Sequence, residues 1–305
     1  MFRAFARIIA PLLVCAMALP WLAGCGPRGR TIKVSSKEFT EQLLLGQIAI
    51  LALEDAGYRV EDKTGIAGSN KLRSALLGKD IDLYWEYTGT GWLSHLQHSN
   101  PLTDPRECYD KVRAEDARNG VAWLAYAPFN NTYTMMMRAS QAQALGIHSL
   151  SQLGAYLGAN PGKLSLAVDH EFTARPDGLP GLVTTYGLKL KEDQVIVMDN
   201  AIVYKALKAG QADIGMGFST DARIKAFGLV NIQDDKGFFP AYNPAPNLRS
   251  DFARDNPKIV ELLARVAARL DNDTMMRLNY QVDIEQKVPK VVARTWMKDT
   301  GLIKG

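Results

Sequence analysis

The side chains best suited to chemistry in this sequence are four histidines, one acid-flanked histidine among them, and three cysteines. His95 and His98 stand three apart, a spacing that shares one helix face, but no third ligand accompanies them. Neither an HExxH pair nor paired cysteines with zinc-site spacing occurs. Asp169-His170-Glu171 sets two acids beside an imidazole, a combination able to move protons. No GxSxG nucleophile signature supports it, no phosphate-binding loop of the GxxxxGKS or GxxxxGKT type is present, and Gly89-Thr90-Gly91 is only a fragment of a dinucleotide fingerprint. The expectation is a protein with no catalytic residue, no metal and no cofactor, built to bind rather than to react. A secreted enzyme using Asp169, His170 and Glu171 is the alternative from another class.

The chain has 305 residues, 36 basic side chains against 32 acidic ones, and 47% hydrophobic residues. That is enough apolar material for a full core and more length than single cores usually reach, so two domains are expected. The small positive excess includes no Lys/Arg block, which argues against nucleic acid as a partner. Arg3 and Arg7 precede an apolar stretch, Ile8 to Ala23, that contains Pro11 and Pro20. It falls short of the roughly 20 clean apolar residues of a spanning helix and has the pattern of a signal peptide over residues 1–24. Leu22-Ala23-Gly24-Cys25 resembles the lipobox of bacterial lipoproteins, which implies cleavage before Cys25, lipidation of its sulfur and a tether over 25–30. Cys108 is then the only thiol left, no intrachain disulfide can form, and losing Arg3 and Arg7 takes the formal charge from +4 to +2.

From Thr31 onward the apolar pattern alternates between strand and helix types. Strands are expected at 31–35, 58–62 and 81–87, with helices at 41–57 and 71–80 between them, and a second block of the same kind spans 149–218. Such alternation argues for α/β domains with largely parallel sheets. Thr40 is placed to cap the first helix, Glu41 to sit on the positive end of its dipole and Gly57 to end it. Met135-Met136-Met137 reads as a buried strand, 104–120 as a charged helix around an incidental Cys108, and the chain after about Asn256 as helices that return to cover one lobe.

Six phrases carry a resemblance: SSKEFTEQ (35–42), YWEYTGTGW (84–92), NNTY (130–133), DHEFTARPDG (169–178), GFSTDARI (217–224) and DDKGFFPAYNPAPNLR (234–249). Together they resemble the substrate-binding proteins of ABC importers for quaternary ammonium osmoprotectants, the glycine betaine, carnitine and choline binding family, of the OsmF/YehZ type. The likeness runs from about Ile32 to Leu302. It implies a two-lobe periplasmic-binding-protein fold of type II, with a hinge and an interlobe ligand cleft. Lobe 1 would comprise 31–132 plus 240–305 and lobe 2 residues 133–239, with crossings near Asn131–Tyr133 and Pro240.

A trimethylammonium group has no N–H to donate, so it must be caged by aromatic faces, each contributing roughly 0.5–2 kcal/mol through cation–π attraction. By resemblance the cage positions are Tyr87, Tyr133, Phe218 and Tyr242. Arg175 matches the position that contacts a ligand carboxylate, with Pro176 expected to open a helix behind it. Lys37 and Thr90 are secondary contacts, and Glu171 orients Arg175 or faces the cation. Two positions depart from the family pattern: Phe218 stands where some members have Tyr, and Trp85 where Pro is common in the EYTGT motif. The resemblance also implies a small quaternary ammonium ligand, an ABC permease and its ATPase as partners, and a monomer held by its lipid on the periplasmic side of a membrane. Another zwitterion or amino-acid derivative is the alternative ligand.

Overall fold

The computed structural model describes residues 31–304, so the signal-peptide and Cys25 readings lie outside the described residues. Ten strands make two five-stranded sheets among these residues. The first takes β1 (Ile32–Ser35), β2 (Val60–Lys63), β3 (Leu83–Tyr87), β4 (Val121–Trp123) and β10 (Pro244–Arg249). The second takes β5 (Tyr133–Arg138), β6 (Leu166–Val168), β7 (Val195–Val197), β8 (Ile214–Phe218) and β9 (Leu229–Ile232). Their spatial orders are β2-β1-β3-β10-β4 and β7-β6-β8-β5-β9. In each, three parallel strands are joined by one antiparallel strand, β10 beside β3 or β5 beside β8, which pairs on its far side with the edge strand.

The first helix, α1 (Thr40–Asp55), is apolar on nearly every side because it is covered on nearly every side. Ala49, Ile50 and Leu53 pack towards Val34, Leu83 and Leu248 of the first sheet. Leu44, Leu45, Ile48 and Leu51 pack with Trp85 and with Val266, Leu278 and Met297 of the C-terminal helices. Those helices, Pro257–Ala267, Asn272–Asp283 and Pro289–Asp299, thus return to the first unit as expected. Trp85 is fully buried there as packing. Trp92 is buried as well, with the His98 ring stacked on it at 3.4 Å. Gly57 follows α1 with φ +87, but the cap differs from expectation. Thr40 is already helical, and its hydroxyl donates to Asp283 Oδ1 at 2.6 Å, because a tertiary carboxylate competes for it.

The methionine triplet lies in β5, between β8 and β9. Met135 and Met137 enter one apolar cluster and Met136 the other, the alternation a strand imposes. Sequence pattern does not reveal β10, because Pro244 and Pro246 argue against a central strand. The sheet accepts them because β4 pairs only with Asn247–Arg249. Beside the prolines the chain has left regular pairing, and it donates Leu124 N–H and Ala127 N–H to their carbonyls, so no proline N–H is required. Gly89 and Gly91 also gain a reason unrelated to phosphates. A Cβ on Gly89 would lie 2.7 Å from the Tyr242 ring, and one on Gly91 2.6 Å from the Trp123 ring.

Cys108 is fully buried in the helix Pro105–Asp116, and burial raises its thiol pKa to about 11. Alkylation of the folded protein with iodoacetamide at pH 8 should therefore leave Cys108 unmodified in a peptide mass map, and alkylation in denaturant should modify it fully. Rapid native-state labelling would contradict this placement.

Candidate functional site

The parallel strands of both sheets point their carboxyl ends at one cleft of about 1110 Å³. Lys37 and Phe39 follow β1, Tyr87 ends β3 and Thr90 lies in the helical turn after it. From the other side come Asp169, His170, Glu171 and Arg175 after β6, and Phe218 at the end of β8. Tyr133, the first residue of β5, and Tyr242, just before β10, enter where the chain passes between the sheets. All eight residues singled out by sequence, Lys37, Tyr87, Thr90, Tyr133, Glu171, Arg175, Phe218 and Tyr242, line this space.

The rings form a continuous row. Tyr87 and Phe39 stack at 6.3 Å, Phe39 and Phe218 at 5.1 Å, and Phe218 and Tyr133 at 5.3 Å, while Tyr242 meets Tyr133 edge-on at 5.3 Å. Phe39 is the member that sequence reasoning missed. It sits inside SSKEFTEQ, immediately before α1, and its only sequence signal is that neighbourhood.

Lys37 and Arg175, two cations on the wall, are buried and paired. Lys37 Nζ lies 2.7 Å from Glu86 Oε1 and 5.3 Å from the centre of the Tyr87 ring. Glu86 is wholly buried, which alone raises its pKa; the Lys37 charge and the His95 ring, 3.1 Å away, outweigh burial and bring it to about 2. Arg175 donates from Nε and Nη2 to Asp177 at 2.8 and 2.6 Å, and from Nη1 to Glu171 at 2.8 Å. Its Nη2 is 3.5 Å from Thr90 Oγ1, and its guanidinium carbon lies 5.7 Å from the Tyr133 ring centre. Glu171 also reaches across the cleft, accepting from Ser69 Oγ at 2.6 Å and from Ser69 N–H at 3.3 Å. Burial raises the Glu171 pKa, and the Lys37 and Arg175 charges turn the net shift downward. The Tyr242 hydroxyl donates to Asp177.

One local expectation is corrected. Pro176 does not open a helix: Arg175 ends the short helix His170–Ala174, and the next helix starts at Leu179. The Asp177 carboxylate holds the guanidinium where a helix terminus was expected, and Arg175 blocks continuation by adopting extended backbone before proline. Asp169 caps His170–Ala174 by accepting from Phe172 N–H at 2.7 Å. Burial, then the nearby Glu171 and Glu38 charges, raise its pKa to about 6.

The model described as the substrate-binding domain of ABC-type glycine betaine transport systems, OpuAC, matches residues 30–299. The chain belongs to this family. It is 37% identical to a glycine-betaine-binding protein of Pseudomonas aeruginosa over 97% of its own length and 96% of the relative's. It is 33% identical to the glycine betaine-binding protein YehZ of Escherichia coli, covering 96% of each. The solved apo structure of YehZ aligns with 90% of the chain and all of that structure at a TM-score of 0.64. The two-lobe periplasmic-binding-protein architecture is therefore that of the OpuAC family, as is an extracytoplasmic place of action. Members of the OpuAC family are substrate-binding proteins of ABC transporters, so the enzyme alternative on Asp169, His170 and Glu171 is set aside.

The Lys37–Glu86 pair gives the site a signed pH dependence. A carboxyl held low in the folded state contributes stability that is complete above its unfolded value, near 4.3, and lost as the pH falls towards 2. Glu86→Gln should destabilise the protein at neutral pH by about 3–5 kcal/mol, because Lys37 is left buried and unpaired. Its deficit relative to wild type should shrink as the pH is lowered from about 5 in denaturant unfolding; a deficit independent of pH would refute the coupling.

Proposed function

We propose that this chain is the capture subunit for glycine betaine or a closely related quaternary ammonium compound, closing its two lobes over the ligand and presenting it to an ABC permease. The observation that carries the ligand class is the row of aromatic faces along one cleft, a surface suited to a cation that cannot donate hydrogen bonds. In this reading Tyr87, Tyr133, Phe218 and Tyr242 cage the ammonium head, joined by Phe39. Arg175, steered by Glu171 and Asp177, meets the carboxylate with one remaining Nη1 N–H, and Lys37 and Thr90 complete the polar end. Lobe 1 comprises 31–132 and 240–305 and lobe 2 133–239, a division supported by the strand membership of the two sheets. The protein works as a monomer. Residues 1–24 direct export and Cys25 carries the lipid that holds it at a membrane, a reading supported by the lipobox-like Leu22-Ala23-Gly24-Cys25.

A second reading, another and larger zwitterion, is favoured by the size of the cleft and by Asn70, Asn131 and Asn200 on its lining. Calorimetric titration with glycine betaine, proline betaine, carnitine and choline tests both. Heat with one or more of these is expected at or below millimolar ligand, and Tyr133→Ala should weaken binding by at least about 2–30-fold, the value of one cation–π contact. A folded sample that gives no heat with any of the four overturns the quaternary ammonium assignment, and an undiminished Tyr133→Ala variant overturns the cage.

A further inference from the structure

Glu41 does not line the cleft, yet it touches more of the machinery around it than any lining residue's position would suggest. It sits in the first turn of α1 and is almost completely buried, 3% exposed. Oε1 accepts from the Tyr87 hydroxyl at 2.8 Å and from Asn131 Nδ2 at 2.7 Å. Oε2 accepts from Thr220 Oγ1 at 2.6 Å and from Asn279 Nδ2 at 3.1 Å. Tyr87 and Asn131 both face the cleft. Thr220 is two residues beyond Phe218, so its hydroxyl bond to Glu41 ties the segment after β8 to the start of α1.

We propose that Glu41 is the positioning residue of the binding site, a single carboxylate that sets the spacing of three rings and fastens the two units together at the cage. Phe39 is placed through the backbone, two residues before Glu41. Tyr87 is placed through its phenol, and Phe218 through Thr220. The three rings are the ones that stack in sequence, Tyr87 on Phe39 and Phe39 on Phe218. A cage of face contacts has no directional bonds of its own to hold its rings apart, so their spacing must come from behind, and the phenol–carboxylate bond supplies a direction. Burying a carboxylate is costly, and burial does raise the Glu41 pKa against the pull of its four donors. An apolar residue at the start of α1 would avoid that cost but could not join four elements at one point.

The proposal rests on the cage reading above, and the test separates the two. Wild type, Glu41→Gln, Tyr87→Phe, their double variant, Thr220→Val and Tyr133→Ala are titrated with glycine betaine and with tetramethylammonium, the latter a probe of the cation site alone. Glu41→Gln is expected to weaken both probes by roughly 10–100-fold, the value of one charged hydrogen bond. Tyr87→Phe, which keeps the ring and removes the hydroxyl, should weaken them as well. The double variant should be little worse than the weaker single one, a coupling that general destabilisation would not produce. Should Glu41→Gln fail to fold, Thr220→Val carries the test, with a several-fold loss expected from a residue outside the cleft. Binding within twofold of wild type for a folded Glu41→Gln, or strict additivity with Tyr87→Phe, overturns the proposal while a weakened Tyr133→Ala leaves the cage intact. Undiminished binding by Tyr133→Ala, or a wild type that binds neither probe, overturns both.

Discussion

Charge cannot be buried cheaply, and that constraint organises the whole cleft. Lys37 is neutralised by Glu86, Glu86 is also bonded to His95, and Arg175 is held between Asp177 and Glu171. The buried cations Lys37 and Arg175 are therefore each neutralised within the protein itself. The aromatic faces have negative potential, shared with Lys37 at Tyr87 and with Arg175 at Tyr133, and a permanently charged ammonium can use such faces without a proton to give. In ligand sites of this kind, polar groups generally fix orientation and specificity more than they supply raw affinity.

The architecture serves that arrangement by bringing short segments from distant parts of the chain to a common edge. The residues after β1, β3, β6 and β8 arrive there because parallel strands put their carboxyl ends on the same side. Glycine then sets how close they come, since Gly89 lets the turn after β3 lie against the Tyr242 ring. The Glu171–Ser69 contact is the clearest bond across the opening: it joins a carboxylate near Arg175 to the first residue of the helix Ser69–Leu77.

Much of this was legible in the residues. Strand and helix alternation located most elements, because each is covered by apolar neighbours in the period its geometry demands. The motif phrases located the cleft, because loops at strand ends carry the polar and aromatic residues that packing alone does not need. What could not be read was partnership. Phe39 looks like any aromatic before a helix, Asp177 like a turn residue after proline, and Glu41 like a dipole-favoured acid in a first turn. Thr40 follows the same logic: local preference favours a cap, and Asp283, from the far end of the chain, claims the hydroxyl. β10 was hidden because its prolines contradict the local rule, and only the irregular course of the neighbouring chain makes them admissible.

The placement of β10 has a kinetic corollary. The second sheet is drawn from one contiguous stretch, 133–232, and can form as soon as that stretch is available. The first cannot: β4 pairs with β10 alone, and β10 follows the entire second sheet in the chain. Contacts of such long sequence separation form late and slowly, since chain closure must precede any gain from pairing. The second sheet thus needs no strand of the first to complete its pairing, whereas the first sheet, with Tyr242 just ahead of its interior antiparallel strand, is complete only once β10 is in place.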